Sequence, residues 1–127
     1  PDIVSWHAAR KTLRGQLSQK WGNGYWIGRT MRIQPRCFAP RHLVPALFVL
    51  ALIVLALLCP LSPLPLTAML LLYGALDVLY AAKAALEAPC GKLLTFICLP
   101  FLFPVVHIVY GTGTLCGLLT GKAESHA

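Results

Sequence analysis

Long apolar runs in the last two thirds of the chain constrain its fold more than any other feature. Residues 43–59, 66–86 and 93–119 are almost free of charge, and nothing between 93 and 121 is Asp, Glu, Lys or Arg. About 20 apolar residues in a helix cross a bilayer. Only 12% of the chain is charged, roughly half of the usual soluble fraction of about 25%. We therefore predict an all-α membrane protein with about three transmembrane helices at these ranges.

Positive charge is concentrated ahead of the first apolar run. Residues 1–42 hold eight of the eleven Lys and Arg residues and a single acid, Asp2. The larger apolar side chains of the first half of this segment have a nearly helical spacing, at Trp6, Leu13, Leu17 and Trp21. This pattern predicts an amphipathic helix in the membrane interface, and packing on a soluble domain is the alternative.

The cations also predict an orientation. Basic residues beside a membrane span favour the cytoplasmic face and anionic lipid, and their position argues against nucleic acid as the partner. We expect 1–42 to be a cytoplasmic or interfacial segment of a multi-pass membrane protein. With three passes, the tail 122–127 ends on the opposite side of the membrane.

Glycine and proline predict the breaks between elements. Gly22 and Gly24 around Asn23 suggest a turn or short hairpin, although glycines also allow a helix to approach another surface closely. Pro35 and Pro40 predict a link from the interface to the membrane. The last apolar run contains two prolines, so it is either one kinked span or a re-entrant pair of half-helices. A glycine stripe in the same run favours close helix contact, at Gly113, Gly117 and Gly121.

Asp77 and His107 are polar residues inside the apolar runs. Asp77 is costly in lipid and is expected to face a protein interior or a wet cavity, where it acts in function or pairs with a group such as His107 or a tyrosine, or is protonated.

No nucleophile and base motif, phosphate loop or metal-ligand spacing is present, and the four acids are far apart in sequence. The chain alone is therefore not a credible catalyst, and no metal or cofactor site is predicted in it.

Several short motifs in fixed order resemble the C-terminal part of membrane-bound family 2 glycosyltransferases of the succinoglycan-synthesis type. They are 9–14 (Ala-Arg-Lys-Thr-Leu-Arg), Trp21-Gly22, Tyr25-Trp26, 29–32 (Arg-Thr-Met-Arg), Pro35-Arg36, 40–45 (Pro-Arg-His-Leu-Val-Pro) and 104–118, which contains His107 and Tyr110-Gly111. The resemblance covers nearly the whole chain and is more specific at its front than in the apolar runs.

This resemblance implies a cytoplasmic domain, absent from these residues, that binds a nucleotide sugar and Mg²⁺ or Mn²⁺. Related processive synthases carry Gln-x-x-Arg-Trp beside the acceptor, whereas Lys20 precedes Trp21 here and Gln16 is one residue too distant. The resemblance thus implies acceptor-binding residues on the interfacial segment: Gln19, Trp21, Tyr25, Trp26 and Arg29. Aromatic rings stack on sugars and a guanidinium grips pyrophosphate. Anchoring at headgroup level is the alternative role.

The sequence leads to two hypotheses from different classes. In the first, the chain is the membrane-anchoring, acceptor-side part of a family 2 glycosyltransferase that moves sugar from a nucleotide donor to a lipid-linked or polysaccharide acceptor. In the second, it is a small non-enzymatic membrane protein, an assembly or transport subunit, which works through Asp77 and the last apolar run.

Overall fold

The computed structural model describes residues 12–35 and 40–120, and every regular element in these ranges is helical. The helices are α1 (Leu13–Ile33), α2 (Val44–Leu58), α3 (Leu64–Glu87) and α4 (Lys92–Thr120), with a 3-10 turn at Pro40–His42 before α2. The all-α prediction is confirmed. The predicted helix positions from Trp6 to Lys11, residues 36–39 and the tail from Gly121 lie outside the described residues.

Helix α1 is continuous through Gly22 and Gly24, so the turn is absent, and the alternative expectation of a helix that closely approaches another surface is confirmed at Gly24. Thr12 caps its start by accepting a hydrogen bond from the Gly15 N–H at 3.2 Å. It ends at Ile33, because the residue before Pro35 is pushed out of the helical conformation. Gly24 is buried against another helix, and this packing outweighs the weak helix propensity of glycine.

The apolar runs form three helices, of which two are long and apolar enough to cross a membrane. These are α3, with 24 residues, and α4, with 29. The 15 residues of α2 extend about 22 Å at the helical rise per residue, which is less than the hydrocarbon thickness of about 30 Å. The expectation of about three spans is therefore corrected to two, because α2 ends at Leu58, before Pro60, which cannot continue the helical hydrogen bonds.

Helix α4 is the centre of the fold. The other three helices all contact it, and α1 makes the most extensive contact, whereas the contact between α2 and α3 is small. Pro100 and Pro104 lie within α4 without ending it, so one helix forms rather than a pair of half-helices. Each proline lacks the N–H that would bond four residues back, which leaves the carbonyls of Phe96 and Pro100 without their helical donors.

The apolar side chains of α3 and α4 point outward rather than into a core. In the most apolar windows of these helices, 11% and 0% of residues are buried inside the fold. Leu71, Leu79 and Phe101 are three examples of large exposed apolar residues. A helix that packs in a soluble core would bury such residues, so lipid or another protein must cover these surfaces.

Candidate functional site

Helices α1 and α4 approach so closely that their backbones touch. A Cβ atom at Gly24 or Gly28 of α1 would lie closer than 3.0 Å to a backbone carbonyl of α4. The same is true in reverse for Gly113 and Gly117 of α4, which face carbonyls of α1. Two small residues four positions apart on each helix are what allows such an approach. The predicted close contact of the α4 glycine stripe is present at these two positions, and its partner is α1.

The contacts also define the direction of the two helices. Gly113 faces Trp21, and Gly117, four residues later, faces Tyr25. At the end of α1, Arg32 Nη1 donates to the carbonyls of Leu118 and Leu119 at 3.3 and 3.4 Å. The helices are therefore parallel, and the cationic end of α1 lies at the C-terminal end of α4. Arg32 satisfies carbonyls that have no donor within the helix.

Four of the five predicted acceptor residues form one continuous row on α1. Trp21 and Tyr25 stack with ring centroids 5.5 Å apart, and Tyr25 meets Trp26 edge to face at 6.1 Å. The guanidinium carbon of Arg29 lies 5.3 Å from the Trp26 ring centroid. Gln19 is exposed and is not part of this row of ring contacts. We call Trp21, Tyr25, Trp26 and Arg29 the aromatic row.

The aromatic row presents a fixed, accessible surface. Trp21 is 43% exposed and Trp26 is 60% exposed. The backbone carbonyls of Trp21 and Tyr25 face Gly113 and Gly117 of α4. The backbone of the row, and not only its side chains, therefore contacts α4. Gln19, seven residues before Trp26, is on the same side of the helix about two turns away. The row can stack on an apolar ring face and offer a guanidinium to an anion.

A second polar cluster joins α3 and α4. The Tyr73 hydroxyl oxygen and His107 Nδ1 are 3.2 Å apart, and Nδ1 lies 2.9 Å from the Phe103 carbonyl oxygen. We assign the proton to Nδ1, because it can then be donated to the carbonyl and to the tyrosine oxygen. Phe48 of α2 stacks on Tyr73 at 4.4 Å between ring centroids. The cluster thus connects all three apolar helices.

Asp77 lies near this cluster, but no hydrogen bond joins it to His107 or to a tyrosine. Such pairing was one of the roles expected for it from the sequence. Its side chain is buried, with 7% exposed, and among the described residues its Oδ1 has no hydrogen-bond partner. It lines a half-open cavity of about 420 Å³. The other lining residues are Val44, Tyr73, Leu76, Tyr80, Phe103 and His107. His107 shares the cavity with Asp77, yet its Nδ1 pairs with Tyr73 and Phe103.

Sequence reasoning missed two features of these sites. Close approach of a helix was expected at the α1 glycines, but α4 was not identified as the partner, although the spacing of Gly24 and Gly28 matches that of Gly113 and Gly117. The contribution of Tyr80 and Phe103 to the Asp77 cavity had no comparable signal, since they belong to different apolar runs.

No protein-family model, curated protein or solved structure matches the chain. Within residues 12–35 and 40–120, no three His, Cys, Asp or Glu side chains are grouped so that they could hold a metal ion. The divalent metal that the glycosyltransferase resemblance implies is expected in the separate catalytic domain and not among these residues.

Proposed function

We propose that this chain is the membrane-embedded, acceptor-side module of a family 2 glycosyltransferase, which transfers sugar from a nucleotide donor to a lipid-linked or polysaccharide acceptor. The observation that supports it is the aromatic row of α1, which a backbone contact holds against the apolar helix α4. A surface that combines stacking rings with a cation suits a sugar joined to a phosphate. The nucleotide sugar and its metal would bind to a separate catalytic domain.

The proposal places the module in a bacterial inner membrane with two passes, α3 and α4. The connection 88–91 between them lies on one side of the bilayer, and the C-terminal end of α1 lies on the other, beside the end of α4. The greater positive charge of α1 makes its side cytoplasmic. Lys83 on the opposite side is 4.0 Å from Glu87, which reduces the positive charge there. This arrangement replaces the three-pass expectation, in which α1 and 88–91 share the cytoplasmic side.

In this role, the residues of the aromatic row bind and orient the acceptor. Trp26 offers the most exposed ring of the row, and a sugar stacked on it would lie within reach of the Arg29 guanidinium. The Gly24 and Gly28 contacts hold both residues on a rigid helix, so the acceptor would be positioned without ordering a loop. The acceptor lipid chain would extend along the outward apolar faces of α3 and α4.

The first test is the coding sequence upstream of residue 1. A continuous frame that encodes a nucleotide-sugar domain with Asp-x-Asp supports the proposal, and a start codon immediately before Pro1 contradicts it.

The second test is sugar transfer by the intact protein in membranes. Trp26→Ala should lower transfer about tenfold. Removal of a ring that stacks on a nucleic-acid base costs about 1–3 kcal/mol, and a loss of about 1.4 kcal/mol at a sugar corresponds to tenfold. Leu13→Ala is the matched control, since Leu13 is 59% exposed on the same helix and Trp26 is 60% exposed. Equal activity of the two variants would contradict an acceptor role for the aromatic row.

The buried carboxyl of Asp77 favours a second candidate, a non-enzymatic assembly or transport subunit. Ionisable groups inside a membrane domain commonly mark an ion or substrate path. Asp77→Asn in the intact protein separates the two candidates. Loss of assembly or transport with normal sugar transfer would favour the subunit, and loss of sugar transfer with Trp26→Ala alone would favour the transferase.

A further inference from the structure

The Asp77 cavity combines three features that are rarely found together in an apolar helix pair. It has a volume of about 420 Å³, within the range of about 300–1,000 Å³ that holds small molecules. Its walls are almost entirely apolar or aromatic. It also contains one carboxyl group that is 7% exposed and whose Oδ1 has no partner among the described residues.

No hydrogen bond reaches Asp77 Oδ1 from residues 12–35 and 40–120, and His107 is the neighbouring group that interacts with its charge. Lys83, the nearest cation along α3, has a 71% exposed side chain beside Glu87. His107 lines the cavity, but its Nδ1 is directed to the Phe103 carbonyl at 2.9 Å and to Tyr73. A carboxylate in a low-dielectric site is strongly destabilised without an opposite charge or hydrogen-bond donor. A ligand that carries a positive charge and an N–H donor would supply the partner that Asp77 Oδ1 lacks among the described residues.

The aromatic lining is suited to a cation. Tyr73, Tyr80 and Phe103 contribute three rings to the wall around Asp77. Ring faces attract ammonium ions, and cages of aromatic rings are a recurrent means of binding them. Phe48 stacks behind Tyr73 at 4.4 Å, which restricts the orientation of that ring. An ionised Asp77 would repel phosphate and carboxylate ligands, so the cavity suits a cation better than an anion.

We propose that this cavity binds a lipophilic organic ammonium ion, whose charged nitrogen pairs with Asp77 and whose apolar body occupies the space between α3, α4 and the start of α2. Tyr80 is 65% exposed, so the open side of the cavity faces outward, toward lipid. The ligand would therefore enter laterally from the bilayer. This site is separate from the aromatic row on α1, and its existence does not depend on the transferase proposal.

The test measures binding of radiolabelled phenylbutylammonium to the full chain in phosphatidylcholine nanodiscs. Phenylbutanol is the matched neutral probe, with the same apolar body and a hydroxyl in place of the ammonium. Saturable binding of one ammonium ion per chain is expected, with weaker binding of the alcohol. Absence of saturable ammonium binding to the wild-type chain would overturn the proposal.

Two substitutions on α3 separate the buried charge from charge in general. Asp77→Asn should weaken ammonium binding about tenfold or more, because it removes one partner of a desolvated charge pair. Glu87→Gln makes the same chemical change at an exposed site and should alter binding by less than about twofold. Equal effects of the two variants, or equal loss of alcohol and ammonium binding with Asp77→Asn, would overturn the pairing.

Circular dichroism compares the helix content of Asp77→Asn with that of wild type, to detect misfolding. A third variant, Tyr80→Leu, tests the site without changing the buried carboxyl. Tyr80→Leu changes an outward-facing residue and should weaken ammonium binding about two- to fivefold, the effect of one cation–π contact, while leaving alcohol binding unchanged. If Tyr80→Leu weakens the two probes equally, the rings act only as apolar wall and the ammonium assignment is wrong.

Discussion

Substitution of Gly28 by alanine tests whether α1 is held on α4 by backbone contact. The added Cβ would lie closer than 3.0 Å to the Thr114 carbonyl oxygen and the Leu118 nitrogen. Backbone atoms of a continuous helix cannot rotate away as a flexible side chain can, so the helices must separate. Gly22→Ala is the matched control, because a Cβ at Gly22 has no neighbour within 4 Å.

The size of the effect follows from the difference between the two variants. Each replacement gains about 1 kcal/mol of helix propensity, and this gain cancels in the comparison. The remaining term is the cost of inserting a methyl group into a closely packed contact, about 1–3 kcal/mol. Undocking of α1 should therefore become about fivefold to more than a hundredfold easier in Gly28→Ala than in Gly22→Ala, at about 1.4 kcal/mol per tenfold.

The assay is titration of the full chain with sodium dodecyl sulfate in mixed micelles, followed by tryptophan fluorescence. The chain has three tryptophans, and they lie at 6, 21 and 26, so the signal reports on α1 and the residues before it. Gly28→Ala should lose the docked signal at a lower dodecyl sulfate fraction than both Gly22→Ala and wild type. Coincident transitions for the two variants would refute the backbone contact.

Three further predictions concern the same contact and the membrane arrangement. Arg32→Gln should weaken docking of α1 by about 0.5–1.5 kcal/mol, through loss of its hydrogen bonds to α4, and unchanged hydrogen exchange in the last turn of α1 would contradict this. Thr114 is fully buried, so Thr114→Leu, which adds volume, should undock α1 in the fluorescence titration. Thr114→Val keeps the volume and loses only the hydrogen bond of the hydroxyl to the Tyr110 carbonyl, so it should shift the transition less, by about 0.5–1.5 kcal/mol. With the other cysteines replaced, an impermeant maleimide should label Cys90 and Ser18→Cys from opposite sides of oriented vesicles. Labelling from the same side would support three passes instead.

Helix content and the position of α3 and α4 were predictable from the sequence, because long apolar runs leave few alternatives to a helix in lipid. The number of spans was overestimated at α2. Composition shows that α2 is apolar. Prolines at 60 and 63 prevent the helix from continuing, and its 15 residues are too few to cross the bilayer.

The relation between the helices was less predictable, because it depends on which faces meet. Gly22 and Gly24 have the same residue type and opposite surroundings, since one is in open space and the other is buried against α4. The local sequence favours a turn at these glycines, whereas packing against α4 favours a helix. A single sequence does not identify that packing partner. The glycine spacing on α4 predicted a close contact but not that α1 would provide it.

The candidate sites show the same division. The aromatic row was predictable as a group, since Trp21, Tyr25, Trp26 and Arg29 are neighbours on one helix. The Asp77 cavity was predictable only as one polar residue in an apolar run. Its aromatic wall comes from residues about 25 positions apart in sequence on α3 and α4, which become neighbours only when these helices pack.

The central claim is that lipid is the solvent for the outward faces of α3 and α4, and alkaline carbonate extraction of membranes that contain the full chain tests it most directly. The account predicts that the chain remains in the membrane pellet and is released only by detergent. Release into the carbonate supernatant, followed by a monodisperse monomer in detergent-free buffer, would contradict it.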